Sequence, residues 1–212
     1  MRPEALEAMT VELARVGNPS SLHASGRRAR RVVEESRESI ADVLGASPVD
    51  VVFTSGGTEA DNLAVKGLYR ARRGADPSRV RVLCSAIEHH AVLDAVEHLG
   101  KAEDADVRWL PVDRLGRLDL DRFAAELADS DDIALVTVMW ANNEVGTLQP
   151  VAEVAALCAE RGVPFHTDAV QAVGHVPVDA SLATALALSG HKVGGPLGVG
   201  ALVAKRGVPL EP

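Results

Sequence analysis

From about Ser47 onward, short β-rich runs alternate with helical patterns, and this alternation restricts the fold more than any other feature of the chain. Strand-like runs fall at 49–54, 80–85, 107–111, 133–139 and 163–167, with two weaker ones at 185–189 and 200–204. Helical patterns occupy 59–73, 91–99, 120–128 and 151–161 between them. Strands spaced by helices of this length read as βαβ units. The unbroken apolar run Ile133-Ala134-Leu135-Val136 fits a strand covered on both sides. The expected fold is therefore α/β, a mainly parallel sheet with helices on both faces.

The first 46 residues differ, with two helical stretches at 3–15 and 21–44 joined through Gly17-Asn18-Pro19-Ser20. They are expected to form an N-terminal helical segment ahead of an α/β domain over residues 47–212. Arg27, Arg28, Arg30 and Arg31 are interleaved with Glu34, Glu35 and Glu38, and Arg30/Glu34 and Arg31/Glu35 stand at i,i+4 spacing. This predicts a solvated, ion-paired helix face rather than a phosphate patch.

Composition narrows the function classes. Thirty acidic against 22 basic residues give a formal net charge of −8, which argues against a general nucleic-acid binder. Cys84 and Cys158 lie far apart with no CxxC, so neither a zinc site nor a disulfide framework is expected. The N-terminus lacks an apolar signal region and no apolar run approaches membrane length, which predicts a cytoplasmic, non-membrane protein. The basic residues comprise 18 arginines but only four lysines, Lys66, Lys101, Lys192 and Lys205, so candidates for an amine nucleophile are few.

In open α/β sheets, ligands bind beyond the carboxyl ends of the strands. Five apolar runs here lead into polar clusters: Thr54-Ser55-Gly56-Gly57-Thr58-Glu59, Glu88-His89-His90, Asn142-Asn143-Glu144, His166-Thr167-Asp168 with Gln171, and Ser189-Gly190-His191-Lys192. The glycines before Thr58 form either a plain capped turn or a place where phosphate oxygens approach helix N–H groups. They match neither a P-loop nor a dinucleotide fingerprint. His89-His90 makes a poor metal pair, since adjacent side chains diverge and no third ligand is suitably spaced. A ring-stacking or proton-transfer role for one histidine competes with a capping or core role. Asp168 is expected to be buried and to need a partner. A protonated heteroaromatic nitrogen at ~3 Å would gain about 5 kcal/mol before desolvation, at an effective dielectric of about 20. Lys192 precedes a glycine-dense stretch and is read as a Schiff-base amine rather than a surface residue. Phosphate site, aspartate and lysine together are what pyridoxal phosphate requires of a protein.

With these motifs the chain resembles the large domain of the pyridoxal-phosphate-dependent cysteine desulfurases, in the class V aminotransferase superfamily. The matching segments are Gly17-Asn18-Pro19-Ser20-Ser21, TSGGTEADN at 54–62, EHHAVLD at 88–94, NNEVGT at 142–147, HTDAVQAVG at 166–174 and SGHKVGGPLGVG at 189–200. EHHAVLD and NNEVGT resemble the group serving general and nitrogen-fixation cluster assembly rather than the SUF-type group. The resemblance implies the fold type I large domain with pyridoxal 5'-phosphate as cofactor and no metal. It implies that Gly57 and Thr58 hold the cofactor phosphate with Ser189 and His191 assisting. His89 would stack on the ring and transfer protons, and Asn143 and Gln171 would contact the ring hydroxyl side. Asp168 would pair with the ring nitrogen, and Lys192 would form the Schiff base and shuttle protons. The implied reaction converts L-cysteine to L-alanine and passes sulfur as an enzyme persulfide toward iron–sulfur assembly, in a homodimer serving a sulfur-acceptor or scaffold protein.

The family pattern also contains parts that these 212 residues do not match. A segment ending Ala-Ala-Thr-Thr-Pro would precede the chain. The nucleophilic cysteine, a substrate-binding arginine and a threonine reaching the neighbouring subunit's phosphate would lie in a C-terminal small-domain region. The stretch 179–189 is about two residues shorter than the pattern, which predicts a displaced strand. Cys84 and Cys158 are expected to be buried and inert. An aminotransferase or selenocysteine lyase of the same superfamily shares the lysine, aspartate and phosphate features. A catalytically inactive truncated product is the remaining alternative.

Overall fold

The computed structural model describes residues 1–211. Two helices open the chain, α1 (Pro3–Leu13) and α2 (Ala24–Leu44). There follow β1 (Val51–Thr54), α3 (Gly57–Ala75), β2 (Arg81–Ser85), α4 (His90–Ala102), β3 (Asp106–Leu110), α5 (Leu120–Ala128) and β4 (Ile133–Thr137). The chain continues through α6 (Val151–Glu160), β5 (Phe165–Asp168), β6 (Ala185–Ser189) and β7 (Gly200–Ala204). The strands form one seven-stranded sheet in the order β1-β7-β6-β5-β4-β2-β3. Every pairing is parallel except the two made by β7, so the sheet is mainly parallel, as expected.

Each strand sends alternate side chains to opposite faces. On β6, Leu186 and Leu188 join one apolar cluster while Ala185 and Ala187 join the other. The first cluster is covered by α2, α5 and α6 through residues such as Leu44, Phe123 and Val154. The second is covered by α3 and α4, through Ala60, Ala64, Leu68, Val92 and Val96. Helices on both faces explain why β4 and β6 are buried along their whole lengths. No helix among the described residues is long and apolar enough to cross a membrane.

Three local expectations need correction. The second helix begins at Ala24, because the His23 imidazole accepts the Gly26 N–H and caps it there. The Arg30/Glu34 and Arg31/Glu35 pairs do not form among the described residues; the four arginines are exposed, and Glu34 pairs with Arg37 at 3.2 Å. Arg37 is the better partner because it is already held, by a bond from its guanidinium to the Val51 carbonyl and by stacking 5.0 Å from the Phe53 ring centroid. The strand after Asp179 keeps a regular central position: a short 3-10 turn at Ala180–Leu182 leads into β6, which pairs with β5 and β7.

Topology puts the ligand edge together. All strands but β7 run in one direction, so their carboxyl ends share one edge, and β7 begins at that edge opposite Thr54 and Ser189. The connection from edge strand β1 to β2 must pass the middle of the sheet, and α3 makes that crossing against β7, β6, β5 and β4. The crossing is tight at its start. A Cβ on Gly200 would lie 2.6 Å from the Gly56 carbonyl carbon and 2.8 Å from the Leu188 oxygen, both backbone atoms that cannot yield.

Replacing Gly200 with Ala is expected to lower the unfolding free energy by about 1–3 kcal/mol, read as an earlier urea midpoint. Gly56→Ala, whose Cβ would meet nothing within 4 Å, is expected to change it by less than about 1 kcal/mol.

Candidate active site

The α3 N-terminus sits in the middle of the ligand edge. Its N-cap is Gly56, which offers no side-chain acceptor, so the N–H groups of the first turn lack a capping partner. The turn is shaped from outside instead: Glu59 accepts the Ser55 N–H at 2.6 Å, and Thr54 donates to the Gly56 carbonyl at 2.9 Å. Gly57 has to be glycine, because a Cβ there would lie 2.7 Å from Val170 Cγ2 and 3.5 Å from Ser189 Cβ. That contact brings bare helix N–H groups against the ends of β5 and β6. The glycine turn is thus an N-cap that makes no side-chain bond.

Around this helix end lies a cleft of about 570 Å³. Gly57, Thr58, His89, Asn143, Asp168, Gln171, Ser189, His191 and Lys192 all line it, so the nine residues singled out from the sequence converge on one place. His89 caps α4, its Nδ1 accepting the Ala91 N–H at 3.1 Å, which leaves the ring proton on Nε2. Ser189 Oγ lies 2.8 Å from His191 Nδ1. Lys192 is exposed on a 3-10 turn, Gly190–Val193, that ends at Gly194 with φ +85°. Gly190 and Gly195 close that loop: Gly190 N–H donates to the Val199 carbonyl and its own carbonyl accepts from Gly195. Lys192 is the one lysine on the cleft among the described residues.

Asp168 is buried at the end of β5, where Oδ1 accepts the Val170 N–H at 2.8 Å. Burial above all, and then the neighbouring Asp61, push its carboxyl up to about 7. Such a group gains from any cation that reaches it.

Three buried ionisable residues were not singled out from the sequence, although each lies in a motif that was. Asp61, on α3, lines the cleft and is pushed up to about 8 by burial. His166, on β5, is pulled down to about 4 by burial, with Asp168 opposing the shift. Glu88 accepts the Met139 N–H at 2.5 Å and thereby ties the His89 loop to the end of β4; burial, and then the Asp168 charge, hold it well above the usual carboxylate range. Strand-end polar residues suggest a site, but only the crossing of α3 shows which of them it covers.

The adjacent asparagines divide their work. Asn142 is buried, accepts the Glu144 and Val145 N–H groups at 2.9 Å each and donates to the Ile87 carbonyl at 3.0 Å. Asn143 is exposed on the cleft. Both cysteines are buried as expected; desolvation raises the Cys84 thiol far above its ordinary value and pushes Cys158 up to about 12.

A family model described as aminotransferase class V matches residues 1–212. The chain is 54% identical over 214 residues to the IscS-like cysteine desulfurase of Mycobacterium tuberculosis, covering all of this chain and 54% of that protein. Among solved structures, a NifS-like protein superimposes with a TM-score of 0.92 at 35% identity, over 100% of this chain and 58% of that one. A structure described as SspA in complex with cysteine gives a TM-score of 0.88 at 34% identity, over 97% and 58% of the two chains. The α/β fold is thus that of NifS-like proteins, and the chain spans about half the length of the curated relatives it matches.

Asn142→Ala is expected to lower the unfolding free energy by about 1–3 kcal/mol, since it strands buried backbone groups. Asn143→Ala is expected to stay within about 0.5 kcal/mol of wild type. Paired urea titrations distinguish the two.

Proposed function

Because the chain belongs to the class V aminotransferase family along its whole length, we propose that its cleft holds pyridoxal 5'-phosphate and that it forms the cofactor-binding part of a cysteine desulfurase. The observation that carries this is the meeting of an uncapped helix N-terminus, a buried carboxyl that lacks a cation and a lone lysine around one cleft. The donor set fits the cofactor. Gly57 lets the helix end pack against Val170 and Ser189, and the first-turn N–H groups suit a phosphate dianion. Ser189 and His191 line the same cleft, as do Asn143 and Gln171, whose amides would meet the ring hydroxyl.

When bound, pyridoxal phosphate supplies an aldehyde that condenses with amines and a protonated ring that accepts electron density. The remaining chemistry belongs to the chain. Asp168, as carboxylate, would pair with the ring nitrogen and favour its protonated form. Lys192 would hold the cofactor through its amine, and its Nζ would move the proton at the substrate Cα. His89 lines the cleft with its ring fixed by the Ala91 bond, and its Nε2–H would serve as a second proton carrier. Cysteine as substrate is supported by the likeness to a protein solved in complex with cysteine and to curated desulfurases.

In the whole enzyme, a thiol takes the sulfur atom of cysteine to become a persulfide and alanine is left. Neither Cys84 nor Cys158 suits that task, being buried with raised thiol pKa values. The acceptor thiol then comes from outside these 212 residues. We read residues 1–46 as a helical segment serving the cofactor domain at 47–212, and the whole protein as a cytoplasmic homodimer. It would pass sulfur to an acceptor or scaffold protein for iron–sulfur assembly, a reading supported by relatives named IscS and NifS.

The test is to incubate the chain with pyridoxal phosphate, reduce with borohydride and map the product by mass spectrometry. A phosphopyridoxyl group on Lys192 is expected, and none after Lys192→Ala. Labelling at Lys66, Lys101 or Lys205 in its place would overturn the reading. With L-cysteine added to the loaded chain, no persulfide is expected on Cys84 or Cys158; one on either would contradict their burial.

A further inference from the structure

His166 and Asp168 stand at i and i+2 on β5, so both emerge on the face that α3 covers. There Asp61 of α3, 1% exposed, places Oδ1 3.3 Å from Nε2 of His166, which is fully buried. His166 Nδ1 lies 2.9 Å from Thr137 Oγ1. Neither Asp61 Oδ1 nor His166 Nε2 has any other hydrogen-bond partner. With water excluded and no third partner at hand, a neutral acid beside a neutral ring costs less than an ionised carboxylate in the same place.

We propose that Asp61 is a buried neutral acid that donates its proton to His166 Nε2, while His166 Nδ1–H donates to Thr137 Oγ1, so that Asp168 alone carries negative charge in the cleft. Asp61 is therefore a positioning residue: it orients His166 and, by staying uncharged, leaves the neighbouring Asp168 free to ionise. Two carboxylates in one low-dielectric site oppose each other's ionisation, and the more deeply buried one keeps its proton. The ionisable groups around Asp61 accord with this. His166 and Asp168 approach from β5, Glu88 and His89 from the loop before α4, and His191 and Lys192 line the same cleft. β1, β4, β6 and β7 carry no ionisable side chain, and His90 and Asp94 of α4 are exposed. The consequence for Asp168 rests on the cofactor reading above; the proton placement does not.

The sign of the pH dependence follows from the two raised and lowered groups. Folded Asp61 keeps its proton to about 8, while the unfolded side chain loses it near 3.8, so its contribution to stability is lost as pH rises across that window. His166 acts oppositely between about 4 and 6.5, where only the unfolded ring is charged. The pair therefore destabilises the fold mainly from about 6.5 to about 8.

The experiment compares ligand-free wild type, Asp61→Asn and Asp61→Ala by denaturant unfolding across that range, with nitrogen NMR of the imidazoles. Asp61→Asn keeps a donor for Nε2 without an acidic proton, so its midpoint is expected to rise relative to wild type as pH increases toward about 8. His166 is expected as the neutral Nδ1–H tautomer at neutral pH in wild type and Asp61→Asn, and to lose that signature in Asp61→Ala. An Nε2–H or doubly protonated His166 in wild type overturns the proposal whatever the variants do, as does a midpoint difference that does not change with pH. A final arm measures pyridoxal phosphate binding: Asp61→Asn is expected to match wild type, and a loss in that variant alone would show that Asp61 acts as a carboxylate. Failure of wild type to bind would count against the cofactor reading, leaving the proton placement to the ligand-free arms.

Discussion

The contact between Gly57 and the ends of β5 and β6 sets the position of everything else in the cleft. Because β1 lies at the sheet edge, the chain can reach β2 only by crossing the sheet, and α3 spans that distance. Its first turn touches Val170 and Ser189 without room for a side chain. The helix therefore delivers its unpaired N–H groups, and the favourable field of its N-terminus, to the point where the strands end. The same packing buries Asp61 against β5 and holds α4 close, since Asn62 donates to both the Thr58 and Ala91 carbonyls. A side chain at position 57 would lift the helix and loosen all three relations together.

The second organising fact is where the buried charge lies. Outside the cleft the core is alanine, valine and leucine with few polar atoms. Beside it, Asp61, Glu88, Asp168 and His166 are all nearly inaccessible to water. Burial of this kind is costly unless the groups stay neutral or find partners. Glu88 meets the cost by accepting a backbone N–H from Met139, while Asp168 has only the Val170 N–H for one oxygen. A structural domain has no reason to keep such an arrangement. A site that awaits a cationic ring does, because the arriving charge stabilises the carboxylate where water does not.

Much of this was legible in the chain. The strand runs at 185–189 and 200–204 and the helix at 120–128 have the bounds observed, because each is an apolar run flanked by clear breaks. The nine cleft residues lie at or just after strand ends, which in a parallel sheet share one edge, and the family resemblance picked them out of their polar clusters. Asp61 and His166 escaped for a matching reason: their importance depends on which helix crosses which strand, and no local pattern carries that. Asn142 and Asn143 are indistinguishable as sequence, yet one folds back on its own turn and the other faces the cleft. The arginine–glutamate pairs of α2 had the right spacing, but spacing on a solvated face gives little energy, and Glu34 instead paired with the arginine already anchored to β1.

The central claim is that the α3 N-terminus, Asp168 and Lys192 form a single cradle. A crystal structure of the chain soaked with pyridoxal phosphate tests it most directly. The account predicts the phosphate within hydrogen-bond reach of the Gly57 and Thr58 N–H groups, the ring nitrogen against Asp168, and density continuous into Lys192 Nζ. A phosphate bound away from the α3 N-terminus, or a ring whose nitrogen faces a different side chain, would contradict it.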